Sequence, residues 1–107
     1  MTYQQKVKWI ADCHKAVIPT VWHYFRPKQT PPYALWQEDG GSFFFADNNA
    51  KESHVTGSTD YFTKTEYDPI VDEIQKMLTE NGFAWTLNSI QYEEETGLIH
   101  YEWTWEV

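Results

Sequence analysis

The chain has 107 residues, a formal charge of −8 and 18% aromatic side chains, which fits one domain whose single core draws on a few large rings. The acidic balance argues against gripping nucleic acid through its phosphates, which needs a clustered Lys/Arg surface, and against docking on an anionic membrane. It is compatible with a wall that DNA slides past without binding.

The single Cys13 rules out an internal disulfide. The opening MTYQQKVKWIADCHK is interrupted by Lys and Asp and does not read as a signal peptide, and no apolar run reaches bilayer-spanning length. A soluble protein made in the cytoplasm is the expectation.

The first element is a helix from Thr2 to about Ile18. Thr2 and Gln5 have capping-box spacing, Val7, Ile10, Ala11, His14, Val17 and Ile18 follow helical periodicity, and Pro19 stops the run. His14 is expected at the core edge. Val21 to Phe25 has strand composition. Arg26 to Pro32, RPKQTPP, is a loop with a local excess of positive charge, either a connector or an arm that reaches a neighbouring subunit. Tyr33 to Trp36 is the next strand, and Gln37 to Ser42, with Asp39-Gly40-Gly41, signals a turn. Phe43, Phe44 and Phe45 form a continuous apolar run, buried on both faces or meeting another chain. Ala46 to Ser53 is a polar loop. His54 to Lys64 reads as a strand with Gly57 as a bulge site.

A second helix is marked at both ends. Asp68 can cap it, Pro69 fits its first turn, and Asn81-Gly82 can end it. Ile70, Ile74, Met77 and Leu78 give it one apolar face. A hairpin follows. Phe83, Trp85 and Leu87 alternate with polar neighbours, as do Tyr101, Trp103, Trp105 and Val107, with Glu93 to Glu95 in the turn. The expected fold is α+β: a mainly antiparallel sheet with two helices on one face, in the order helix, strands, helix, β-hairpin. Ile70, Ile74, Leu78, Trp85 and Trp103 form its expected core.

Reactive constellations are weak. Cys13, His14, His23, His54 and His100 show no zinc spacing, and Asp12-Cys13-His14 point three ways on a helix. No nucleophile elbow or phosphate loop is present, and the Glu93–Glu95 run reads as a solvated tip. No catalytic residue, metal or cofactor is expected. The Tyr101/Trp103/Trp105 stripe is either a stacking platform or the floor under the second helix, and the helix's matching apolar face favours the floor.

Ala46-Asp47-Asn48-Asn49, Tyr61-Phe62-Thr63-Lys64, Asp68-Pro69 and Gly97-Leu98-Ile99-His100-Tyr101, in this order and spacing, resemble the tail terminator or tail completion proteins of long-tailed bacteriophages and prophages, and relatives described as minor tail or minor capsid components. The likeness spans roughly the last two-thirds of the chain. It implies structural work: a homomeric ring, commonly hexameric, at the head-proximal end of the tail. Such a ring ends tube polymerisation and meets a tail tube protein and a head connector protein, and DNA passes through it unbound. Its place would be the virion tail, assembled in the host cytoplasm. Arg26, Lys28, Pro31, Pro32, Phe43, Phe44 and Phe45 are the candidate subunit interface. The alternative is a monomeric aromatic-rich module that binds carbohydrate or peptide.

Overall fold

A helix begins where the sequence signals it. In the computed structural model, which describes residues 1–25, 27–41 and 54–107, Thr2 and Gln5 complete a reciprocal capping box ahead of α1 (Tyr3–Val17). The second helix, α2 (Pro69–Glu80), starts at Asp68, whose Oδ1 accepts the Ile70 N–H at 2.9 Å. Its other oxygen accepts the buried Tyr61 hydroxyl at 2.7 Å, so the cap also ties the helix to the sheet. Asn81 closes α2 and Gly82 takes φ 81°, a left-handed conformation that suits glycine.

The strands are β1 (Val21–His23), β2 (Tyr33–Gly40), β3 (Thr56–Thr63), β4 (Ala84–Glu93) and β5 (Leu98–Glu106). They form one sheet in the order β1-β2-β3-β5-β4, antiparallel except for β1 against β2. The fold is therefore α+β. Alternation sends Trp36, Thr59, Tyr61, Trp103 and Trp105 to one face, where both helices lie. Ile10 of α1 and Ile74 and Leu78 of α2 are fully buried there against Trp103 and Tyr61. Each such aliphatic side chain contributes about 1.5–3 kcal/mol. Ile70 and Trp85 are only half-buried and pack at the margin of this core.

Several expectations need correction. β1 ends at His23 rather than Phe25, because Tyr24 turns the chain with φ 66°. Gln37 to Gly40 continues β2 instead of turning; Glu38 is held by His23 and Tyr24 and Asp39 accepts from the Thr56 hydroxyl, and the irregularity falls between Glu38 and Gly40. Gly57 is not a bulge. It pairs regularly with Trp105 on β5, the extra residue beside it being in β2, and a Cβ there would stand 2.6 Å from the Trp105 ring and 2.3 Å from the Gln37 carbonyl oxygen. Glycine is the residue that lets the indole and the next strand approach. The hairpin strands are longer than their alternation suggested, because an extra residue at Asn88 breaks the period while Leu87 and Ile90 stay on the helix side. His14 lies in the core centre, not at its edge. Arg26 and Phe43 to Phe45 lie outside the described residues, so their roles as interface are carried by the sequence alone.

Candidate functional site

The most polar part of the core is built around His14. One helical turn below it, Ile10 offers its carbonyl to Nδ1 at 2.8 Å, and Nε2 meets the Thr59 hydroxyl at 2.7 Å. A carbonyl can only accept, so Nδ1 carries the proton and Nε2 accepts from Thr59. Thr59 in turn accepts the Trp105 indole N–H at 2.9 Å. The chain of donors is fully satisfied with a neutral imidazole. Burial is the main reason its pKa falls from 6.5 to about 4. The ring stacks on Trp36 at 5.1 Å, and no solvent reaches it. This histidine holds helix to sheet.

A second cluster lies at the β1 edge. His23 pairs with Trp36 across the β1–β2 ladder, and their rings stack at 3.9 Å. The left-handed turn at Tyr24 folds its ring back onto His23 at 3.8 Å. Both side chains end on Glu38: His23 Nε2 at 2.6 Å from Oε1, and the Tyr24 hydroxyl on Oε2. Burial raises the Glu38 pKa, but the Tyr24 and His23 hydrogen bonds outweigh it and hold the carboxyl below its usual range. The same bond to Glu38 pushes Tyr24 up to about 12. Trp22 and Phe25 flank this corner and are exposed, with Phe25 73% accessible.

The face of the sheet away from the helices carries a third cluster. Tyr33, Phe62 and His100 stack in a row across β2, β3 and β5, at 4.8 and 4.2 Å. His100 Nε2 lies 2.7 Å from Asp60 Oδ1. Burial raises the Asp60 pKa against the lowering effect of that hydrogen bond. Among the described residues no three His, Cys, Asp or Glu side chains are gathered for a metal ion. Between α1 and α2 a groove of about 450 Å³ is lined by Trp9, Asp12, Cys13, Glu73 and Met77. Its Cys13 thiol is pushed up by burial and then by Asp12, away from the thiolate a nucleophile needs.

Of the candidate interface, Lys28 and Pro32 are exposed and Pro31 is half-buried, all in the return from β1 to β2. The Trp103 and Trp105 rings lie in the core beneath the helices, and Tyr101 is half-buried beside them. The Glu38 cluster had no signal in the sequence. His23 and Glu38 are brought together by a parallel pairing that no local pattern encodes. Asp60 and His100 are separated by 40 positions and meet only through the β3–β5 register.

No family model matches the chain, and no curated protein sequence matches it. Its class rests on the architecture just described: an α+β sheet covered by two helices on one face. Among the described residues no helix is long and apolar enough to cross a membrane.

Proposed function

We propose that this chain is a structural tail protein of a bacteriophage or prophage. It forms a homomeric ring at the head-proximal end of the tail, ends tube polymerisation and joins head to tail. One observation carries the reading beyond the resemblance in the sequence: how the aromatic side chains are distributed. Trp36, Trp103, Trp105 and Tyr61 are spent on a closed core, whereas Trp22, Tyr24, Phe25, Ile90 and Tyr92 stand at the outer strands. Large apolar side chains at the margins of a small sheet suit contacts with other protein surfaces. The net charge of −8 suits a channel that DNA passes. The partners are copies of itself, the tail tube protein and the head connector, and the chain does no chemistry.

The alternative, a monomeric carbohydrate- or peptide-binding module, needs exposed Trp and Tyr side chains, for which the Tyr101/Trp103/Trp105 stripe is one candidate platform. Trp103 and Trp105 are buried beneath the helices, so that platform is closed and, of the Trp and Tyr side chains at the outer strands, Trp22, Tyr24 and Tyr92 stay exposed for such a role.

Particles from a host carrying an interrupted copy of this gene test the reading. Overlong tails and unjoined heads are expected in electron micrographs, with normal tails restored by the intact gene. Tails of ordinary length joined to heads without it would overturn the proposal.

A further inference from the structure

An open groove of about 450 Å³ runs between α1 and α2. It is lined between Trp9 and Val17 of α1 and between Glu73 of α2 and Asn81 just after it. No strand residue lines it, so it opens on the side of the helices away from the sheet. At 1.5 Å per residue each lining stretch is about 12 Å long, the reach of roughly two helical turns or four extended residues.

The groove is apolar below and charged above. Cys13 and Met77 are buried at its base, and Trp9 and Val17 are half-buried. Asp12, Glu73 and Glu80 are exposed at the rim. Trp9 is fixed by stacking on Phe83, with ring centroids 5.7 Å apart. Met77 is unbranched and polarizable, so the base can adapt to what lies on it.

Little offsets the acidic rim. Lys76 is the cation in the lining, and it reaches Glu80 only at 4.0 Å, with the two side chains 63% and 64% exposed. Asp12 and Glu73 form no ion pair among the described residues. Lys8 and Lys15 stand about a turn from Asp12 on either side, yet neither pairs with it or lines the groove. The end of α2 adds to the imbalance. Its last turn holds Glu80 and no basic residue, although the carbonyl end of a helix already carries partial negative charge. An exposed Lys76 corrects that only weakly. Chains break such a local rule most often where function asks for it.

These features select an occupant. A small free cation would be poorly enclosed here, since small-molecule sites cover most of their ligand. A polypeptide segment can lie along both helices, with an apolar side chain on the base and basic side chains at the rim. Lys and Arg suit the place twice over, because their stems are apolar and their heads are drawn to carboxylates and to an indole. A second copy of this chain is a poorer match, since it too carries −8.

We propose that the α1–α2 groove docks a basic, amphipathic segment of another protein, with an apolar side chain over Cys13 and Met77 and Lys or Arg side chains at Asp12, Glu73 and Glu80. Such docking is independent of whether the chain forms a ring.

Fluorescence anisotropy tests it, with a short dye-labelled peptide of alternating Lys and Leu as the probe and circular dichroism to show that each variant is folded. With the wild type the signal should rise to saturation, and added salt should weaken binding. The same peptide with Glu for Lys, or with Ser for Leu, should not bind. Asp12→Asn combined with Glu73→Gln should weaken binding about threefold to tenfold, through two lost exposed charge contacts. Ala16→Arg sets a bulky cation in the groove from an exposed position and should abolish binding; if it unfolds, the Asp12 and Glu73 pair decides. Glu93→Gln combined with Glu95→Gln removes as much charge from the hairpin turn and should leave binding unchanged. No saturation, or unchanged binding in the groove variants, would overturn the proposal. So would equal losses in the groove and hairpin variants, or equal binding of the Lys–Ser peptide, since either means attraction to net charge alone. Spermidine that displaces the peptide at equal concentration would give the groove to a free polyamine. Self-association in sedimentation velocity that Ala16→Arg abolishes would give it to a second copy. Either result also overturns the proposal.

Discussion

At the scale of single residues, the core is fixed by polar groups with no spare partners. His14 is neutral because burial disfavours its charged form, and the neutral ring is fully partnered: Nδ1–H donates to the Ile10 carbonyl and Nε2 accepts from the Thr59 hydroxyl. Its folded pKa, about 4, lies below the ordinary 6.5. The unfolded chain therefore binds more protons between those values, and stability falls as pH falls through that window. The contribution is complete above about pH 6.5 and has gone by about pH 4. At about 1.4 kcal/mol per pKa unit the loss is roughly 3 kcal/mol. Urea midpoints should drop accordingly, while the His14 ring resonances hold still from neutral pH to about pH 5. A midpoint flat across the window would contradict this. Asp68 is the other such residue, since it caps α2 and receives Tyr61. Asp68→Ala should cost about 2–4 kcal/mol by removing the cap and stranding a buried hydroxyl. Asp68→Asn should restore most of it, as read from the same urea curves.

At the scale of elements, what was legible followed from local rules. Both helix starts, the Asn81-Gly82 stop and the inward faces of Trp103 and Trp105 obey capping and alternation, which depend on near neighbours in sequence. What was not legible depends on partners. Gln37 to Gly40 looks like a turn by composition, but it is strand because β3 pairs with it and His23 and Tyr24 hydrogen-bond Glu38. The parallel alignment of β1 leaves no trace in either strand. His14 gave no hint of its depth, since its acceptor and donor lie on a different turn and a different strand. Gly57 shows the same dependence on a distant ring. Gly57→Ala would press a methyl group into the Trp105 indole and a backbone oxygen that cannot retreat. It should cost about 1–3 kcal/mol or more. Ile74→Ala and Trp103→Ala should each cost about 2–5 kcal/mol by leaving a cavity. Values below about 1 kcal/mol at these fully buried sites would remove them from the core.

At the scale of the whole molecule, the candidate site was legible only in part. The sequence marked RPKQTPP for its charge and Phe43 to Phe45 for apolarity, and Lys28 and Pro32 do lie at the surface. The open edges β1 and β4 could not be read, because strand order is a property of the assembled sheet. Within the proposed assembly, Phe44→Asp should impair tail formation while the purified chain keeps its unfolding midpoint; unaltered tail length and infectivity would count against that. The extra residue at Asn88 has a consequence for architecture. Leu87 and Ile90 occupy successive same-side rungs opposite Trp103 and Tyr101, so shortening the strand by that one residue keeps every inward side chain inward. Evolution or an engineer can thus change the curl of the outermost ribbon, and with it, in the proposed ring, the angle between subunits, without disturbing the interior.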